Sequence, residues 1–310
     1  MAKEEPKLKC VPGECCSEPL YAVKPSEPIS TWDELLSFYK NCEPSLWGNR
    51  WIFRAQEDST WCLTSSLERA IYRQHGYFLK DGRRSLEDAR KWEKRLLRQF
   101  QRIAPMFLSQ PPDKTNWMEW LALLRHHGGP TRLLDWTYSF WIAIFLAIAK
   151  AKDGNNCAIW ALNVDWWKER VEERTPKLSE ILHKDGSNSE AELDFIFRLK
   201  GKRGVWPVNA FRLNKRLQAQ QGLFLMPLDA TRGFMENLSS LDRNNEGPKN
   251  LFKIVIACDK PLRAHWLTEL QRMNISFQTL FPGLGGLAID LENQMLMEHL
   301  FKGIGDESDD

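Results

Sequence analysis

The chain of 310 residues is 43% hydrophobic and 27% charged, with 43 basic against 41 acidic side chains. That apolar share excludes global disorder, and the length allows one large domain or two. A net charge of +2 excludes bulk electrostatic attraction to nucleic acid or membrane, leaving only local patches. Fourteen Trp and sixteen Phe against five Tyr supply rigid bulk for a core or a stacking surface.

Residues 1–29 carry Pro6, Pro12, Pro19, Pro25 and Pro28 among alternating charges and read as an extended or partly disordered arm. They lack the apolar stretch of a secretory signal. Cys10, Cys15 and Cys16 have no second ligand pair for zinc, so no metal is expected. Cys42, Cys62, Cys157 and Cys258 sit in apolar surroundings and read as thiols packed in the core of a cytoplasmic protein.

Thr31 and Glu34 form a capping box that opens a helix. A short strand follows at 50–54, then a helix from Ser65 or Ser66 to about His75. Residues 86–104 form an amphipathic helix with Leu86, Ala89, Trp92, Leu96 and Phe100 near one face, ended by Pro105. Trp117 to about His126 is helical and stops at Gly128-Gly129-Pro130. The apolar run 139–150 is too short for a bilayer span and reads as a buried helix over 140–149. Buried strands are expected at 157–162, 223–226 and 251–257. A charged peripheral insertion is expected near 165–204, a solvated loop at 238–250, helices from Pro261, and an acidic tail at 303–310. Helices outnumber strands, which makes the class α+β.

Three segments carry chemistry-bearing side chains. Arg54 ends a short apolar strand, where it either closes a structural ion pair or forks a phosphate or carboxylate. Residues 124–139 gather His126, His127, Thr131, Arg132, Asp135, Trp136, Thr137 and Ser139 between a Gly-Gly-Pro break and the apolar helix. Polar groups so placed either satisfy one another or present a ligand site. His126 and His127 are adjacent and diverge by about 100° on a helix, which disfavours one shared metal. Residues 209–222 form a basic helix bearing Arg212, Lys215 and Arg216, with Gly222 fitting its C-terminal cap. Gly-x-Ser-x-Gly, His-Glu-x-x-His, Gly-x-Gly-x-x-Gly and Walker A sequences are all missing.

Taken in order, Phe53-Arg54, the 126–137 block ending Pro130-Thr131-Arg132-Leu133-Leu134-Asp135-Trp136-Thr137, the 216–224 block and the 280–288 block resemble the FRG domain family over about residues 30–302. Ala55 replaces the family's motif glycine, and Gly285 stands where an Asp is usual. The family is distantly similar to the ADP-ribosyltransferase fold. That resemblance implies a small, split, mixed or antiparallel sheet with abundant peripheral helices and an NAD-binding cleft. It implies Arg54, Thr137 and Gln220 as the three-part catalytic signature, and nucleotide contacts from Arg54, His126, Thr131, Arg132, Asp135, Trp136, Thr137, Ser139 and Gln220.

The implied activity is ADP-ribosyl transfer to a macromolecule, or hydrolysis of NAD, with NAD as substrate and no membrane partner. Gln220 stands where many transferases place a Glu, and a neutral amide cannot act as a general base. A non-catalytic nucleotide sensor and a protein-interaction domain are therefore the alternatives.

Overall fold

The computed structural model describes residues 20–42, 51–75, 86–174, 203–208, 215–242 and 244–305. The strands are β1 (Ala22–Val23), β2 (Trp51–Gln56), β3 (Leu134–Thr137), β4 (Cys157–Asn163), β5 (Val205–Val208), β6 (Gly222–Pro227) and β7 (Leu251–Ile256). They form one mixed sheet of seven strands in the order β1-β7-β4-β2-β3-β6-β5, larger than the small sheet expected. Neighbours are antiparallel except β1 and β7.

The helices are α1 (Trp32–Cys42), α2 (Ser66–His75), α3 (Ala89–Ile103), α4 (Trp117–His126), α5 (Phe140–Ile148), α6 (Val164–Arg174) and α7 (Lys215–Ala219). Then come α8 (Phe234–Ser239), α9 (Gly247–Asn250), α10 (Lys260–Arg272), α11 (Phe277–Leu280) and α12 (Leu284–Gly305). No helix among the described residues is long and apolar enough to cross a membrane. The Thr31 capping box is present: the Glu34 amide donates to Thr31 Oγ1 at 3.2 Å, and the Thr31 amide donates to Glu34 Oε2 at 3.1 Å.

Side-chain alternation divides the core. Ile52, Trp160, Leu162, Leu223 and Leu225 face one side, where Trp166, Trp167, Phe234 and Leu238 cover them. The other side is covered in two pieces. Phe53, Ile159 and Ile254 pack under α5 and α10, whereas Phe224 and Met226 pack with Leu97, Trp120 and Leu121 of α3 and α4. A polar seam at β2 and β3 lies between these two helical layers.

Several elements differ from the sequence expectation. Leu20 and Ile29 of the arm are buried, and residues 22–23 pair with β7, so the end of the arm belongs to the sheet. On α3 the buried positions are Ala89, Glu93 and Leu97, because Glu93 meets buried Arg132 and turns the helix about one position from its apolar stripe. Residues 164–174 bury Trp166, Trp167 and Val171, while 175–202 lie outside the described residues. The 238–250 stretch contains buried Leu238, Leu241 and Gly247 rather than a solvated loop. Gly222 opens β6, and Gln221 takes the positive φ of 45° expected of the glycine. Gly222 is needed for closeness instead: a Cβ there would come within 2.4 Å of Leu217 Cδ1. The expected helix over 209–214 lies outside the described residues. Cys157 and Cys258 are buried thiols, but Cys62 is disulfide-bonded rather than free.

Helix α5 is apolar on all sides, and Ile144 is fully buried. Ile144→Asp would bury an unpaired charge at a cost of about 4–5 kcal/mol, much of a domain's total stability. The expected outcome is loss of the cooperative melting transition by circular dichroism.

Candidate functional site

The seam opens because β2 and β3 share a single residue pair, Phe53 with Thr137, whereas β2 pairs with β4 along all six of its residues. Past that pair lies a cavity of about 590 Å³, walled by β2, β3, the turn before β6 and Phe281. Arg54, Thr137 and Gln220 all line it, although 83 positions separate each consecutive pair. Asp135 and Trp136 line it as well.

Arg54 lies one residue past the Phe53–Thr137 pair, where the β2–β3 ladder has ended, and its Nη1 donates to the main-chain oxygen of Asp135 at 2.6 Å. Its Nη1 lies 3.8 Å from Asp135 Oδ2. Burial, reinforced by the charges of Arg125 and Arg69, lowers the Arg54 pKa to about 10 against the pull of Asp135, so it remains charged at neutral pH. Its Nε is buried without a hydrogen-bond partner, as is Trp136 Nε1.

Arg125 of α4 clasps Asp135 with Nε at 3.0 Å and with Nη2. Burial acts to raise the Asp135 pKa, but the charge and hydrogen bonds of Arg125, with Arg54 and Arg216 beyond it, hold the carboxyl below its usual range. Thr137 Oγ1 donates to the Gln220 main-chain oxygen at 2.7 Å and accepts from the Ser139 amide at 3.0 Å. Gln220 Nε2 donates to Leu280 O at 3.1 Å, which leaves Oε1 of the amide as its acceptor. Arg216 stacks over Phe281, with the guanidinium carbon 4.5 Å from the ring centroid.

The other sequence candidates stand apart from the cavity. Arg132 is buried in an ion pair with Glu93 and reaches Pro227 O at 3.3 Å, so its charge is spent in the core. Thr131 is fully buried, its amide donating to Ser66 Oγ. Ser139 caps α5 by accepting from the Ile142 amide at 3.3 Å. His126 ends α4 with its ring edge-on to His127, and burial together with the charges of His127 and Arg216 lowers its pKa. Gly285 lies on the exposed first turn of α12.

Sequence reasoning missed Arg69, Lys150, Lys152 and Trp61, which also line the cavity. Arg69 comes from the first turn of α2, whose start Ser65 and Glu68 cap reciprocally. Trp61 belongs to a loop held by buried Lys253, which donates to Ser59 O at 2.6 Å and Trp61 O at 3.0 Å. Burial pushes the Lys253 pKa down to about 8. Only the fold brings these residues to one wall.

The family model of the FRG domain matches residues 49–156. That stretch is an FRG domain. It contains Arg54 and the whole 126–137 block, whereas the 216–224 and 280–288 blocks lie beyond the match. No curated protein and no solved structure matches the chain. The FRG segment thus supplies β2, β3, α2, α4 and α5, and the later chain closes the cavity with Arg216, Gln220 and Phe281.

Glu68 gives a pH signature. Burial pushes its pKa up to about 7, against hydrogen bonds from the Ser65 and Phe234 amides. Between its ordinary value and 7 the folded state binds the extra proton, so this group's contribution to stability falls as pH rises. Glu68→Gln removes that slope. The expected result, by denaturant unfolding, is that the variant gains about 3 kcal/mol relative to the parent from pH 4.5 to 7.5.

Proposed function

We propose that the seam cavity binds NAD through its diphosphate and that the protein uses it as substrate, passing ADP-ribose to a macromolecule or to water. The observation that carries this reading is the convergence of Arg54, Thr137 and Gln220 on one cavity lined by an excess of cations. Arg54, Arg69, Lys150, Lys152 and Arg216 face it, against the carboxylates of Asp135 and Glu57. A dinucleotide's diphosphate suits that balance and gives the unpartnered Arg54 Nε an acceptor. The sheet's near-separation at β2 and β3 supports an ADP-ribosyltransferase-like reading of the fold.

In this reading Arg54 forks a phosphate. Gln220 Oε1 accepts from a ribose hydroxyl, while Thr137 fixes the Gln220 turn through its main-chain oxygen rather than touching the nucleotide. When the glycosidic C–N bond breaks, nicotinamide leaves with the electron pair and the acceptor's oxygen gives up a proton. Gln220 cannot take that proton, and Asp135 is held by Arg125. Glu57, just past the end of β2, is the cavity carboxylate outside that ion pair and the available base. The engagement of Asp135 and the neutrality of Gln220 favour a second reading, a nucleotide sensor that binds without turnover.

Calorimetry with NAD on the parent and on Arg54→Lys tests the site, with ligand-free melting as control. Lys keeps the charge but loses the planar fork. The expected loss is roughly 1.5–3 kcal/mol, about ten- to a hundredfold in Kd. Equal affinities would remove the fork, and a parent that binds no adenine nucleotide would remove the reading. Nicotinamide release separates enzyme from sensor.

A further inference from the structure

The surface of α3 carries a feature that the seam cavity does not use. Arg90, Lys91, Lys94, Arg95, Arg98 and Arg102 fall within a sector of about 140° on the helix. Arg90 meets Asp229 at 3.3 Å and Arg95 lies over the Trp92 ring. Lys91, Lys94, Arg98 and Arg102 have no carboxylate partner among the described residues. The net charge of +2 conceals this stripe, because it is a sum over the whole chain.

Beside the stripe, the rotation that buries Glu93 leaves Leu96 and Phe100 at the lip of an apolar groove of about 460 Å³. The groove runs on to a turn at Ala104–Phe107, in which Ala104 is buried and the next three residues are exposed. Met106 is 81% and Phe107 80% exposed, and Ile103 behind them is 47% exposed. Adjacent large apolar groups this exposed mark an interaction surface.

We propose that this face docks on an anionic phospholipid bilayer. The uncompensated cations meet phosphate head groups, while Ile103, Met106 and Phe107 enter the acyl boundary and the groove takes a lipid chain. Charge complementarity selects an anionic partner. The convex apolar tip distinguishes the bilayer from an acidic protein segment: a groove alone would seat a peptide, but protruding side chains beside a basic stripe match an interface with soft depth. Contact of this kind is peripheral and needs no spanning helix.

The experiment is co-sedimentation of the full chain with vesicles of phosphatidylcholine containing about 30 mol% phosphatidylserine, and with phosphatidylcholine alone. The parent is expected to bind the anionic vesicles and to be released by high salt. Lys94→Glu with Arg98→Glu should weaken partitioning at least tenfold, and Met106→Ser with Phe107→Ser about tenfold, with unchanged melting because all four positions are exposed. No binding of the parent to anionic vesicles would overturn the proposal. So would binding indifferent to Met106→Ser with Phe107→Ser, since charge alone would then account for it. Preference for poly-L-glutamate over vesicles would overturn it in favour of an acidic protein partner. NAD affinity is read separately, so failure here leaves the seam reading untouched.

Discussion

The organisation of this protein turns on how few backbone bonds join β2 to β3. With one residue pair between them, the sheet is continuous by connectivity but open by geometry. Arg54 fills the opening by donating to the Asp135 main chain, and Arg125 holds the Asp135 side chain from α4. Two guanidinium groups and one carboxylate therefore do the joining that a strand ladder would otherwise do. Such a joint is charged and incomplete, and the unpartnered Arg54 Nε records the incompleteness. An excess of buried positive charge is destabilising until an anion neutralises it, so the seam is a weak line in the sheet, and the proposed function places a phosphate there.

The two helical layers on the open face follow from the same break. Helix α5 is so apolar that it must be enclosed, and it takes the β2, β4 and β7 side with α10. Helices α3 and α4 take the β6 side, tied down by the buried Arg132–Glu93 pair. The cavity is the space that neither layer covers.

Much of this was legible in the sequence where local chemistry decides structure. The Thr31 box, the Ser139 cap and the apolar run after it, and the alternating strands each announce themselves within a few residues. The convergence of Arg54, Thr137 and Gln220 was legible only through the resemblance, since nothing local links positions so far apart. Arg132 and Thr131 were read as ligand contacts because they lie in the same dense block. Their neighbours in space are Glu93 and Ser66, and a one-dimensional reading does not show such partners. The face of α3 was misjudged for the same reason: a buried acid with a distant arginine outweighs an apolar stripe. Gly222 followed a good rule to a different outcome, because packing on Leu217 fixed the glycine while Gln221 bent the chain.

The first strand has a further meaning. Residues 22–23 pair in parallel with 252–253, and Ile29 bridges to Ile256, so the start of the described chain is completed by a strand that arrives more than two hundred residues later. During synthesis the segment that buries Leu20 and Ile29 has no backbone partner in the sheet until β7 emerges. The FRG segment and the β4 strand that directly follows it can assemble β2, β3, β4 and α5 well before that moment. Closure of the sheet's β1 edge thus waits for β7 in a vectorial process, and the nascent chain must keep the apolar residues around β1 from pairing elsewhere until that strand is made.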